Sequence, residues 1–241
     1  MGLTIQHLDW DSKFFGFKVA KIFISKFNVN ELLDSFEKLQ KDNYKMVALH
    51  SNEQIENLSL VFKRNYKEFH DLKLTFSKSI NKKIHNKLKN KFTSAFYEIN
   101  TPCDELFSLA IQSSRYSRFR RDPNFHENFC DDMYKKWISS SLIEENNSKV
   151  IIVKMDSKLV GMISFSEKFK NGYIDLIATD NNYMGQGIAS HLIYSAEKFF
   201  LSRNINKINV VTQGINIPAC KLYESSGYKI EKKEYIAHCW L

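Results

Sequence analysis

The sequence predicts an α/β protein in two parts, a smaller α/β unit over residues 1–92 and a larger unit over 93–241. Three observations carry this. The length, 241 residues, suits one large domain or two small ones. Apolar residues alternate singly in some segments and recur every three to four residues in others, and the two kinds succeed one another along the chain. Between the two runs of elements lies a stretch holding Lys78, Lys82, Lys83, Lys87, Lys89 and Lys91 with no acidic residue among them.

The elements follow in order. Residues 3–26 read as extended, with Phe17, Val19, Ile22 and Ile24 as β-formers and Gly16 marking a turn. Asn28 or Asn30 can cap a helix on which Leu32, Leu33, Phe36 and Leu39 share a face, ending near Asn43. Met46–Leu49 is a short buried strand, a helix is expected around 54–64, and a strand around 69–77. Past the lysines, Ala95–Ile99 is strand-like, and Asp104–Gln112 and Phe125–Leu142 are helical. Three consecutive strands follow at Val150–Lys154, Leu159–Ser166 and Tyr173–Thr179. Asp156-Ser157-Lys158 and Lys170-Asn171-Gly172 supply the tight turns between them. A helix over Ile188–Arg203, a strand at Ile208–Val211, a helix at Pro218–Ser226 and two short strands at Tyr228–Glu231 and Ile236–Trp240 complete the chain. The first part shares the strand–helix–strand order of the second, so a degenerate duplication is conceivable.

Composition excludes several classes. At 43% hydrophobic and 26% charged residues the chain reads as a folded globular protein. No apolar run approaches the 18 or so residues of a membrane-spanning helix, and Asp9, Asp11 and Lys13 interrupt any signal-peptide core. Cys103, Cys130, Cys220 and Cys239 have no metal-ligand spacing, so neither a metal site nor a disulfide framework is expected, and the cysteines read as reduced and the protein as cytoplasmic. The net charge of +8 is lopsided: +7 falls in residues 1–92 and +1 in 93–241. The lysine run reads either as a phosphate-binding patch or as a solvated connector. Its position argues little for nucleic acid, and no DNA-reading module is visible.

The most informative stretch runs from Ile174 to Ala189. It is strand, loop, glycine turn and helix. A helix N-terminus leaves about four backbone N–H groups unpaired and its dipole favours anions. Gly185 and Gly187 allow positive φ and close backbone approach to a bulky anion. No Lys-Ser/Thr follows, so this is not a P-loop, and no third glycine completes a dinucleotide fingerprint. Met184-Gly185-Gln186-Gly187-Ile188-Ala189 instead resembles the acyl-CoA pyrophosphate loop of the GNAT N-acyltransferase superfamily, Arg/Gln-x-x-Gly-x-Gly/Ala. Gly187 and Ala189 match the last two fixed positions, and Met184 departs from the first. A second signature, Asn-x-x-Ala-x-x-x-Tyr-x-x-x-Gly-Phe/Tyr, is matched by Asn216, Ala219, Tyr223, Gly227 and Tyr228.

The resemblance implies a mixed, mostly antiparallel central sheet flanked by helices over 93–241, and an acyl-CoA co-substrate. It implies that Ile177, Ala178 and Thr179 line the pantetheine, that Met184, Gly185, Gln186, Gly187, Ile188 and Ala189 hold the pyrophosphate, that Asn216 contacts the CoA arm, and that Tyr223 is the general acid. Residues 8–16 and Ser117–Ile138, with the two-part layout, resemble the dTDP-fucosamine acetyltransferase branch. Those enzymes acylate the amine of a nucleotide-linked amino-dideoxy sugar for surface polysaccharide. Arg118 and Arg121, with Arg120, offer planar donors to phosphate. Phe119, with Phe125 and Tyr134, offers a stacking face; the alternative is that Phe125 and Trp137 are helix core and the arginines solvated. The acyl group, acetyl or a short hydroxyacyl, stays open, as does the proton acceptor, with His238, Asp122 and Glu224 as candidates. Many relatives pair as homodimers, and the sequence shows no interface. The rival readings are a GNAT enzyme for a protein, polyamine or antibiotic amine, and a non-catalytic acyl-CoA or nucleic-acid binder.

Overall fold

Ten strands hydrogen-bond into one sheet that carries both parts of the chain. The computed structural model describes residues 2–54, 67–81 and 92–241, without the side chains of Glu127 and Glu144. Among the described residues the strands are β1 (Leu3–His7), β2 (Lys18–Ile24), β3 (Tyr44–Ser51), β4 (Lys67–Ser79), β5 (Ser94–Phe96), β6 (Ser148–Met155), β7 (Lys158–Lys168), β8 (Asn171–Thr179), β9 (Lys207–Gln213) and β10 (Lys229–Trp240). They lie in the order β1-β2-β3-β10-β4-β9-β8-β7-β6-β5. Only β2–β3 and β8–β9 pair in parallel, so the sheet is mixed and mostly antiparallel. The helices are α1 (Asp9–Phe15), α2 (Val29–Lys41), α3 (Asp104–Ser113), α4 (Arg118–Arg121), α5 (Glu127–Ser140), α6 (Ile188–Ser202) and α7 (Ile217–Ser225).

The last strand joins the two parts. β10 pairs with β3 on one edge and with β4 on the other, and β4 pairs with β9. The division expected near residue 92 therefore does not interrupt the sheet. Three local expectations change. Residues 9–15 are helical rather than extended, and Gly16, at φ 76°, ends this turn with its N–H donating to the Ser12 carbonyl. A further short helix, α4, starts at Ser117, whose hydroxyl accepts from the Phe119 N–H. The two final strands are one, with an irregularity between Ile230 and Lys232. The helix expected at 54–64 and Lys82, Lys83, Lys87, Lys89 and Lys91 lie outside the described residues but for position 54. Lys78 sits in β4 rather than in a connector, and its ammonium donates to Glu197 at 2.7 and 2.8 Å.

Each face of the sheet carries its own core. On one face α2 covers Ala20, Ile22 and Leu49, and α6 covers Ile163, Phe165, Ile174 and Val210. On the other, α1, α3, α4 and α5 bury an aromatic-rich cluster over Val19, Met46, Met162 and Leu176. Among the described residues this second face is covered at its two sides and left open in the middle. Val211, on a central strand, is 46% exposed there, and Lys21, Lys73 and Thr75 are only half-buried. A central strand with an exposed residue marks a floor that no helix among the described residues covers.

Candidate active site

Strands β8 and β9 part company halfway along. Their parallel pairing is confined to Gly172–Ile208, Tyr173–Asn209 and Ile174–Val210. Beyond Ile174, β8 stays bonded to β7, but its other edge has no strand partner as far as Thr179. A β-bulge sits at the fork: Phe165 faces Ile174 and Ser164 faces Leu176, so Asp175 is the extra residue. A bulge kinks and twists its strand, which is a physical reason for the separation here.

The fork opens into a groove of about 470 Å³. Ile177, Ala178 and Thr179 form one wall, and Asn216, Ala219 and Leu222 of α7 another. Gly185, Gly187, Ile188 and Ala189 close one end. Met184 lines the lip and is 56% exposed, and Gln186 is exposed beside it. Gly185 and Gly187 have φ of 76° and 91°, and a Cβ at either would touch nothing within 4 Å. The demand for glycine is thus conformational rather than steric. No side chain caps α6, so the N–H groups of its first turn point unclaimed into the groove. Two buried polar atoms of groove residues also lack partners among the described residues, Thr179 Oγ1 and Gln112 Oε1.

Asn216 is committed within the chain. Its Oδ1 accepts from the Ala219 N–H at 3.3 Å and its Nδ2 donates to Thr212 Oγ1 at 3.0 Å, tying the start of α7 to β9. Tyr223, on the same helix face as Asn216 and Ala219, lies deeper. It is 3% exposed, its ring is 5.5 Å from that of Phe76, and it is not among the residues lining the groove. Burial pushes its phenol above the usual value, so it is protonated at every working pH.

The open floor beside the fork is cationic. Arg118, half-buried at the start of α4, has its guanidinium 4.4 Å over the Phe119 ring and makes no ion pair among the described residues; its Nε is buried without a partner. Lys21, Lys73 and Lys232 approach the same region. Burial, with the charges of Lys21, Arg118 and Lys73, pushes His50 down to about 3, so it is neutral. Burial opposes charge on Glu234, yet Lys73 at 2.9 Å and Lys232 at 3.1 Å bring it down to about 2. Arg121 donates to Asp71 at 3.0 Å. Arg120 turns away to Asp131 and Ser114. Phe119 is core, 6% exposed against Phe15, Phe125 and His238, and offers no stacking face.

Two candidate proton acceptors belong to a structural network. His238 Nδ1 and Trp240 Nε1 reach the same Asp122 oxygen at 2.9 and 3.0 Å, and Asn124 donates to the other. Burial pushes Asp122 up, but these hydrogen bonds outweigh it and hold its carboxyl below the usual range. Burial keeps His238 neutral despite that neighbour. The set clamps β10 to the α4–α5 loop. Glu224 is exposed on α7. The carboxylate that does face the fork, Asp175, has a sequence signal that is easily missed: one charged residue inside the apolar strand Tyr173–Thr179.

Comparison with known proteins agrees with this geometry. The chain is 24% identical over 152 residues to the spore coat polysaccharide biosynthesis protein SpsD of Bacillus subtilis, covering 61% of this chain and 52% of that protein. It is 32% identical over 98 residues to a streptothricin acetyltransferase of Escherichia coli, covering 40% of this chain and 56% of that one. The chain thus spans little more than half the length of these relatives. A solved structure of a protein of unknown function from Staphylococcus epidermidis aligns with a TM-score of 0.66 at 14% identity, over 90% of this chain and 83% of that one. A GNAT-family acetyltransferase structure from Novosphingobium aromaticivorans aligns at 0.53 with 14% identity, over 81% and 74%. These likenesses establish the fold. The model of the acetyltransferase (GNAT) family matches residues 104–228, more than half of the chain, and the chain belongs to that family.

Proposed function

We propose that this chain is an acyl-CoA-dependent N-acyltransferase whose acceptor is the amine of a nucleotide-linked amino-dideoxy sugar of the dTDP type, used in surface polysaccharide. The observation that carries the acceptor is the open floor beside the fork. There the cations Lys21, Lys73, Lys232, Arg118 and Arg121 outnumber the carboxylates Asp11, Asp71 and Glu234, and Arg118 makes no ion pair among the described residues. A half-buried cation whose Nε is shielded from water and unpaired gains from a ligand that supplies the missing acceptor, and a diphosphate does so with oxygens suited to guanidinium. The name of the Bacillus relative supports the polysaccharide setting.

In this reading Ile177, Ala178 and Thr179 bond pantetheine through the free edge of β8, and the turn Met184–Ala189 binds the pyrophosphate through backbone N–H groups. The amine enters the fork from the open face and attacks the thioester carbonyl carbon. A backbone N–H near Ile177 stabilises the oxyanion. Tyr223 supplies the proton that the leaving thiolate takes up. Arg118 and Arg121 hold the acceptor's phosphates. The reaction belongs to the cytoplasm, where acyl-CoA is available.

A thiol-release assay tests the reading, with acetyl-CoA and short hydroxyacyl-CoAs against dTDP-3-amino- and dTDP-4-amino-dideoxy sugars, a polyamine and streptothricin. Release with a nucleotide sugar supports it; release only with the polyamine or the antibiotic overturns the acceptor. The streptothricin relative favours an antibiotic amine as second reading, but a cationic floor repels such polycations.

A further inference from the structure

We propose that Asp175 is the catalytic residue that receives the proton of the acceptor's ammonium group, and that it thereby selects an amine as the acylated end. The proposal rests on the acyltransferase reading above. Asp175 is the bulged residue at the point where β8 leaves β9. Its side chain lies on the open face, since its Oδ1 accepts from Ser166 Oγ at 3.2 Å and Ser166 faces away from the α6 core. Two residues on, Ile177 lines the acyl-CoA groove. Asp175 therefore stands between the groove and the floor.

Charge sorting makes the choice specific. Glu234 is held by Lys73 and Lys232, and Asp71 by Arg121. Asp175 makes no ion pair among the described residues. An acceptor with an anionic end and an ammonium end thus meets cations on β2, β4 and β10 and one uncommitted carboxylate on β8. From Asp175 to Lys73 the sheet counts two strand spacings across and about two residues along, about 12 Å between backbone positions. Long lysine side chains shorten that span to the scale of a sugar.

The carboxylate is reached by solvent, yet protein crowds around it. Burial pushes it up to about 6, against the lowering pull of the Ser166 hydroxyl and the Lys168 ammonium on β7. Tyr173 on its own strand and Asn209 on β9 share its face by register. A base near this value is ionised at pH 7 and still accepts a proton readily. In the step, R–NH3+ gives one proton to the Asp175 carboxylate. The freed lone pair forms the N–C bond and the C–S bond breaks; Tyr223 gives its proton to the CoA sulfur and is reprotonated by the second amine proton. Asp175 then returns its proton to solvent.

The test is the pH profile of kcat/KM for acetyl transfer to the best amine of the panel. The full chain should show activity rising through about pH 6 to a plateau, because the required form of Asp175 is the ionised one. Asp175→Asn should lower kcat by about 10²–10³-fold and flatten that limb while binding acetyl-CoA as before. Asp175→Glu should recover part of the rate. Ser166→Ala, which removes a bond to the carboxylate, should move the limb to higher pH. A wild-type rate with the acid limb intact in Asp175→Asn overturns the role of Asp175 alone. If the unmodified chain binds acetyl-CoA but acylates no amine, the acyltransferase reading falls, and Asp175's role with it.

Discussion

Gly161→Ala probes how the sheet positions the pyrophosphate turn. Gly161 lies on β7 beneath the first turn of α6. A Cβ there would stand 2.6 Å from Ile188 Cγ2 and 3.1 Å from Leu192 Cδ1. Ile188 is β-branched and stiff, so α6 must lift at the end that forms the acyl-CoA groove. Overpacking of this kind costs about 1–3 kcal/mol, which for a chain of this length is about 2–12 °C in Tm. Displacing the N–H groups by a few tenths of an ångström should raise KM for acetyl-CoA about tenfold, equivalent to about 1.4 kcal/mol. Gly172→Ala is the matched control. Its Cβ would stand 2.7 Å from the Phe200 ring, twelve residues along α6 and so about 18 Å from Ile188. It should lower Tm similarly and leave KM unchanged. Thermal melting and acetyl-CoA titration of both variants decide the matter. Equal effects on KM, or none in Gly161→Ala, would refute the claim that close packing of α6 on β7 sets the turn.

Other predictions follow from the same contacts. Arg118→Met keeps volume and removes a half-buried cation that makes no ion pair among the described residues; KM for an anionic acceptor should rise about tenfold or more, KM for acetyl-CoA should hold, and Tm should not fall. Tyr223→Phe should keep Tm within a few degrees and lower turnover by about 10²–10⁴-fold; turnover intact at all pH values would remove Tyr223 as the acid. Asp175→Asn should also raise stability at neutral pH. The folded-state value of Asp175 lies above its unfolded one, so its charge disfavours folding above about pH 6 and has no effect below the unfolded value near 4. Urea melts should therefore show the variant more stable at pH 8 and the difference closing by pH 4. For Glu234, held down to about 2, the sign reverses. It stabilises above its unfolded value and that contribution is lost as pH falls through 2, so Glu234→Gln should flatten acid unfolding between pH 4.5 and 2.

What could be read from the sequence was whatever is local. The glycine turn, the Asn216 cap and the Gly227 ending are each set by a few adjacent residues whose backbone demands are fixed by residue type. Most strands were also visible because alternation is a near-neighbour pattern. What escaped is long-range. Nothing in Tyr228–Trp240 announces that its partners are residues 46–51 and 67–77, so the two parts looked separable where the sheet is continuous. The bulge at Asp175 has no periodicity signal, since it arises from an offset against Ser164 and Phe165. Phe119, beside arginines, reads from the sequence as a stacking face for a base; its neighbours Phe15 and Phe125 bury it in the core instead. His238 looked available as a base until Asp122 and Trp240 closed around it. Helix α1 is hidden because its Trp10, Phe14 and Phe15 are aromatic, a residue type enriched in strands.

The central claim is that an anionic carrier brings the amine to the fork. It is tested most directly by comparing kcat/KM for one amino-dideoxy sugar with and without its dTDP group, at rising salt. The account predicts a preference for the nucleotide-linked sugar of about 10² or more at low salt, shrinking as salt screens the floor. Equal kcat/KM for the two forms, unchanged by salt, would contradict it.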